Sequence, residues 1–365
     1  MKRINSKNSN QPKNKRTSRK SGGKGQSSMR NAPAVSIVRA VGRHAIELVG
    51  TDFDLTTSDA FWAYYVPTIE TEVPRIARLI GETDLDVVSR EIGRVVNEAG
   101  THEFPWFLEV SNIRQRFQGS AKEFREVIVQ PFWATMERNK MRYSQAYPFV
   151  KETLMALRDA GIPVVFVSDG PMYQVLTRAK QTGLDELVSK IYALDTVEPT
   201  GLSDEDLEHG RKMVAQLMGT SVKCPFEVLP KHFEKPNPGG LQKAMSDFGI
   251  KDGSRVLFVG DSLKKDGGVA QAVGAGFVWA TYGLYSLSPR ARVLVDQKMN
   301  PVGSAPKMVN QKGGPFMPTV YPPRLADAGH FGEVLNHLGR PAIVSSGTIL
   351  PPSASATAVV NTVGH

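Results

Sequence analysis

The sequence predicts an α/β protein: a doubly wound, open parallel sheet, with a mainly α-helical segment inserted after the first strand. Three observations predict it. Apolar runs at residues 162–167 and 255–259 are almost continuous, the pattern of strands buried on both faces of a parallel sheet. Helix-like stretches alternate with the strand-like ones, as βαβ units require. The strand-like runs end in polar residues able to do chemistry, and in open parallel sheets ligands bind beyond the carboxyl ends of the strands.

In chain order, residues 1–33 are rich in Lys, Arg, Ser, Asn, Gly and Gln and hold almost nothing to bury, so a disordered basic tail is expected. Residues 34–57 carry the first core strand, with an apolar run at 45–49 that ends in the hexapeptide Thr51-Asp52-Phe53-Asp54-Leu55-Thr56. Residues 58–147 change character. Trp62, Tyr64, Tyr65, Trp106, Phe107, Phe132 and Trp133 are spread among helical patterns, and Val88, Ile92, Val95 and Val96 share one helical face. Residues 120–139 read as a further helix. These aromatics are expected in a core rather than against a ligand.

Residues 148–340 return to the α/β pattern. A helix over 148–160 is closed by Gly161, and the strand at 162–167 ends at Ser168-Asp169-Gly170, with Pro171 placed to begin the next helix. Strands are expected within 187–194 and 223–229. Ser203 followed by Asp204, Glu205 and Asp206 has the form of a helix N-terminus. Lys235 lies in a Lys-Pro-Asn-Pro run before a helix at 239–248. The strand at 255–259 ends at Gly260-Asp261-Ser262-Leu263-Lys264-Lys265-Asp266, and another strand follows at 276–282. Residues 285–322 read as a long loop, 331–338 as a final helix, and 341–365 as a flexible tail. His209 and His232 have no metal-ligand spacing to a second His or Cys and are read as ordinary polar residues.

Composition narrows the function. Of 45 Lys and Arg, ten lie in residues 1–30, where no acidic residue occurs; the other 35 face 36 acidic residues. The basic character therefore belongs to the tail. A solubilising arm is favoured over a tether to nucleic acid, because no aromatics interleave these charges to stack on bases. A single cysteine, Cys224, permits no intrachain disulfide and fits a reducing, cytoplasmic compartment. No apolar stretch reaches the ~18 residues of a membrane span, and the N-terminus lacks the apolar run of a secretory signal.

The strand ends supply three or four carboxylates, one lysine and one hydroxyl. Asp52 and Asp54, two apart, share one face if extended, although an acidic loop after a strand is common and the pair alone decides little. Each group has a bland reading too: Asp261, Asp266 or Ser168 as a helix cap, Lys235 as a solvated loop residue. Together, hard oxygen ligands suit Mg2+, and a cation, a lysine and a hydroxyl suit a phosphoryl group.

The chain resembles the haloacid dehalogenase superfamily of phosphatases in all four of its motifs, in order. Asp52-Phe53-Asp54-Leu55-Thr56 looks like the first, Ser168 the second, Lys235 the third, and Gly260-Asp261 with Asp266 the fourth. The resemblance spans about residues 44–340 and implies a Rossmann-like core with a helical cap at 58–147. It implies that Asp52 is the nucleophile, forming an aspartyl-phosphate, and Asp54 the general acid and base. Mg2+ would be held by Asp52, the Asp54 carbonyl, Asp261 and Asp266, while Ser168 and Lys235 hold phosphoryl oxygens. Leu55 departs from the glycine common at that position in the family, and Lys231 is the fallback for Lys235. The expected activity is Mg2+-dependent hydrolysis of a small phosphorylated metabolite. The alternatives are a phosphotransferase or phosphomutase, a nucleic-acid-end phosphatase using residues 1–30, and a non-catalytic binding protein. Retention of both Asp52 and Asp54 argues against the last.

Overall fold

The computed structural model describes residues 46–284 and 326–339. The tail expected at 1–33, the loop at 285–322 and the tail at 341–365 lie outside the described residues. Seven parallel strands form one sheet: β1 (Leu48–Thr51), β2 (Val164–Pro171), β3 (Lys190–Leu194), β4 (Phe226–Leu229), β5 (Val256–Gly260), β6 (Gly276–Ala280) and β7 (Ala326–Ala328). Their order is β4-β3-β2-β1-β5-β6-β7. β1 therefore stands mid-sheet, and the strand order reverses between β1 and β5. That reversal is where an open α/β sheet forms its ligand crevice.

The register brings the strand ends level. Thr51 pairs with Phe166 of β2 and with Val259 of β5, so Asp52, Ser168 and Asp261 leave the sheet at one edge. The apolar runs are strands because alternate residues have different cores to fill. Val49, Val164, Phe166, Leu257 and Val259 face one layer, while Leu48, Val165, Val167, Val256 and Phe258 face the other.

Between β1 and α6 lie five α-helices: α1 (Val66–Leu79), α2 (Leu85–Ala99), α3 (Asn112–Arg116), α4 (Ala121–Phe124) and α5 (Gln130–Tyr143). α6 (Val150–Asp159) leads into β2, and α7 (Met172–Thr182) follows it. α8 (Asp204–Met218) joins β3 to β4, α9 (Gly239–Asp247) joins β4 to β5, and α10 (Asp266–Val273) joins β5 to β6. α6 and α7 cover one face of the sheet, and α9 and α10 the other. None of the described helices is long and apolar enough to cross a membrane.

The first five helices bury a core of their own, including Ile69, Val73 and Ile76 of α1 and the expected Val88, Ile92, Val95 and Val96 of α2. Tyr64, Tyr65, Phe107, Phe132 and Trp133 pack there as well. α2 starts where Asp84 accepts from the Asp86 amide at 2.9 Å, and stops at Gly100, whose φ of 74° is costly for any residue with a Cβ. Trp106 instead meets α8. Its indole N–H donates to the Leu207 carbonyl at 3.2 Å, and its ring lies where a Gly210 Cβ would be. Arg125 adds ion pairs to Glu205 and Asp206 of α8.

Four boundaries differ from the sequence expectation. β2 runs through Pro171, which caps α7 in an extended conformation rather than starting the helix. The helix expected at 120–139 is present but runs on to Tyr143, and α4 and α5 are continuous through a π-helical turn at Arg125–Val129, with Pro131 just beyond it. The strand expected to reach 282 stops at Ala280 in a 3₁₀ turn, which lets the Tyr282 hydroxyl donate to the Thr56 carbonyl at 2.6 Å. Phe331–His337 is also 3₁₀, since so short a segment gains few i→i−4 bonds.

Candidate active site

β1 delivers the first two carboxylates. The chain turns sharply after Asp54 because Leu55 adopts φ 58°, the left-handed region where a glycine is otherwise preferred. The strain is held in place from several sides. The Leu55 amide donates to the Ser58 carbonyl at 3.1 Å, and the Thr57 amide and hydroxyl both donate to the Phe53 carbonyl at 3.0 Å. Leu55 is itself buried against the helical core. The bracing hydroxyl is thus that of Thr57, while the Thr56 hydroxyl is buried with no hydrogen-bond partner among the described residues.

Asp52 is buried, with 7% of its surface exposed. The Lys235 ammonium reaches Asp52 Oδ1 at 2.7 Å and Asp266 Oδ1 at 2.6 Å. Asp266 Oδ2 accepts from the Ser262 amide at 2.9 Å. Carboxylate oxygens of Asp52, Asp261 and Asp266 lie within 4.8 Å of one another, the one group of three possible metal ligands among the described residues. Three hard oxygen donors at the mouth of one crevice fit Mg2+ by donor type and number. Gly260 makes room for this cluster, because a Cβ there would lie 2.3 Å from the Asp266 carboxyl carbon.

Burial pushes Asp52 up to about 7, with Asp266 and Asp54 adding to the rise and Lys235 opposing it. For Lys235 burial opposes the charge, but Asp266, Asp52 and Asp169 outweigh it and raise the ammonium well above its ordinary value. Lys231, the alternative lysine, is occupied elsewhere: it pairs with Glu234 at 3.0 Å and reaches the Ala99 carbonyl at 3.4 Å. Ser168 is buried at the end of β2, where its Oγ accepts from the Gly170 amide at 3.0 Å. A Cβ on Gly170 would stand 3.2 Å from Ser168 Oγ and 3.4 Å from Asp54 Oδ2, so Ser168 and Asp54 flank one bare backbone position.

Asp54 does not join the carboxylate trio through its side chain. Its two oxygens are gripped by Arg178 of α7, Nη2 meeting Oδ2 at 3.0 Å and Nη1 meeting Oδ1. Arg178 Nη2 also donates to Glu103 Oε2 at 3.0 Å.

The haloacid dehalogenase-like hydrolase family model matches residues 64–274, more than half of the chain. The chain belongs to this family. The match begins beyond Asp52 and Asp54, so that pair rests on its own residues and geometry. Several solved structures are similar to the hydrolase. One described as a predicted phosphoglycolate phosphatase from Haemophilus somnus shares 19% identity over 81% of this chain and 99% of its own, with a TM-score of 0.44. A HAD phosphatase from Thermococcus onnurineus shares 17% over 82% and 100%, with a TM-score of 0.47. A haloacid dehalogenase-like family hydrolase from Xanthomonas campestris shares 18% over 65% and 82%, with a TM-score of 0.43. No curated protein matches the hydrolase.

The structure also brings in residues that the sequence did not single out. Asp169 Oδ1 accepts from the Lys235 amide at 2.9 Å, and its Oδ2 pairs with Lys265 at 2.8 Å. Burial pushes the Asp169 carboxyl up, but Lys265 and Lys235 outweigh it and hold it low. Asp169 therefore ties the Lys235 loop to the end of β5. Its position beside Ser168, and that of Lys265 beside Asp266, were the available signals. Arg178 and Glu103 had none, being ten and 65 residues from Ser168 with no motif around them.

Proposed function

We propose that the hydrolase is a Mg2+-dependent phosphomonoesterase acting on a small phosphorylated metabolite through an aspartyl-phosphate on Asp52. The observation that carries this is the trio Asp52, Asp261 and Asp266 at the strand-order reversal, with the Lys235 ammonium bridging two of its members. Asp52, Asp261, Asp266 and the Asp54 carbonyl would hold Mg2+. Once bound, the ion supplies charge neutralisation between the nucleophile and the phosphoryl oxygens.

The chain's own groups do the rest. An Asp52 carboxylate oxygen attacks phosphorus as the bond from phosphorus to the leaving oxygen breaks, and Asp54 gives that oxygen its proton. Water then attacks phosphorus, the bond from phosphorus to Asp52 breaks, and Asp54 takes the proton of the water. Ser168 and Lys235 hold the phosphoryl oxygens, and Lys235 keeps the neighbouring carboxylates tolerable when the cation leaves. The helical segment at 58–147 acts as a cap that excludes water and selects the substrate. The lone Cys224, free and buried, accords with a cytoplasmic setting.

The decisive measurement is phosphate release from 4-nitrophenyl phosphate, with Mg2+ and with chelator, by wild type and Asp52→Asn. Metal-dependent turnover should be lost in the variant, by at least ~10³-fold for a missing nucleophile. Turnover surviving Asp52→Asn would put the nucleophile elsewhere.

A further inference from the structure

Arg178 is the largest fully buried charged side chain among the described residues, and no step above uses it. A lone buried guanidinium would be very costly, so its partners show what it is for. It sits on α7 with its guanidinium carbon 4.9 Å from the centre of the Phe53 ring, between the two aspartates of the first motif. From there it forks onto both oxygens of Asp54, a planar geometry that fixes the carboxylate's rotation as well as its place. The Asp54 side chain keeps 24% of its surface open to solvent.

The other side of the same guanidinium holds Glu103, which is fully buried in the 100–110 stretch between α2 and α3. Glu103 is in turn fixed from two elements. The Tyr64 hydroxyl donates to its Oε1, and the Tyr173 hydroxyl of α7 donates to its backbone carbonyl at 2.5 Å. Lys140 of α5 lies 5.3 Å from the Tyr64 ring centre and donates to Gln174 of α7 at 2.5 Å. A continuous chain of contacts thus runs from the helical segment to Asp54, and Arg178 is its last link.

We propose that Arg178 is a positioning residue that aims the Asp54 carboxylate, and that Glu103 makes this aim depend on the placement of the 100–110 stretch. The inference rests on the proposed acid–base role of Asp54. In that role Asp54 must meet a leaving oxygen in line with Asp52, and a misplacement of about 1 Å costs on the order of 100-fold. Because Glu103 and Asp54 share one guanidinium, a shift of the helical segment moves the fork and so moves Asp54. Substrate that seats the segment would therefore complete the site.

The test compares wild type, Arg178→Lys, Glu103→Gln and Asp54→Asn on 4-nitrophenyl phosphate and on an alkyl monophosphate, glycerol 2-phosphate. Thermal denaturation checks that each variant is folded. Glu103→Gln keeps the shape and the backbone bond to Tyr173, so it serves if Arg178→Lys does not fold. Both substitutions are expected to lower kcat about 10- to 100-fold with KM changed less than about threefold. The loss should be greater for the alkyl ester, whose poor leaving group leans harder on Asp54. Loss of turnover in Asp54→Asn, with Arg178→Lys and Glu103→Gln folded and unchanged, would overturn the positioning role while leaving the functional reading intact. Equal losses on both substrates, or a rise in KM alone, would also overturn it. An Asp54→Asn variant as active as wild type would overturn the functional reading first.

Discussion

Lys235 is the residue on which the most charge depends. It neutralises Asp52 and Asp266 at once, and it is 4% exposed. Its partners are as deeply placed, so water cannot substitute for it. Lys235→Met should leave two carboxylates facing each other in a buried crevice and cost about 3–5 kcal/mol of stability. Urea denaturation in chelator measures this, and Mg2+ should recover part of the loss, because a cation bound only by the folded state stabilises it. Stability unchanged in chelator would mean that the carboxylates had simply protonated at little cost. Leu55 shows the opposite economy, in which a strained φ is kept because its side chain and the turn around it are fixed from several sides.

At the level of elements, α8 is the piece that ties the helical segment to the sheet. It connects two strands, yet its Gly210 lies against Trp106, and its first turn pairs with Arg125. A Cβ at Gly210 would fall 2.3 Å from the Trp106 indole. Gly210→Ala therefore sets two effects against each other. Helix propensity favours alanine by up to ~1 kcal/mol, whereas overpacking costs about 1–3 kcal/mol. A 2.3 Å approach to a buried ring cannot be absorbed by a small shift, so the net change should be destabilising, seen as a lower denaturation midpoint. A midpoint at or above that of wild type would show that α8 can move off Trp106 freely.

For the whole molecule, the clearest pH signature comes from Glu109, buried beside α8. Burial pushes its carboxyl from 4.5 to about 8, Asp206 adding to the rise and Arg125 opposing it. Neither carboxyl oxygen has a hydrogen-bond partner on another described residue, and the residue's own backbone N–H only partly opposes the rise. His209 Nδ1 stands 3.8 Å away, too far for a hydrogen bond, and burial and Arg125 hold that imidazole below its ordinary value. At Glu109 the folded state keeps a proton that the unfolded state gives up between pH 4.5 and about 8. The Glu109 contribution to stability therefore falls as pH rises through that window and levels off above it. Glu109→Gln should remove this share of the fall. From pH 5.5 to 8.5 the denaturant midpoint should then fall by less, or rise by more, in the variant than in wild type; an equal change in both would mean that Glu109 ionises without penalty.

The sequence by itself determined the sheet and one edge of it. Short apolar runs alternating with helical patterns read as the strands of an open parallel sheet, whose ligands bind beyond the strand ends, so Asp52, Ser168 and Asp261 could be placed at one edge from pattern. Val88, Ile92, Val95 and Val96 were legible for a similar reason, since a helical face repeats within a dozen residues. Element ends were less legible: Pro171 and the 331–337 segment follow their neighbours rather than their own propensities. What only the tertiary structure decided is which charges neutralise one another. Arg178 meets Asp54 across 124 residues and Glu103 across 75. An ion pair between distant segments leaves no period or spacing in the chain, because burial selects its partners by place and charge rather than by sequence.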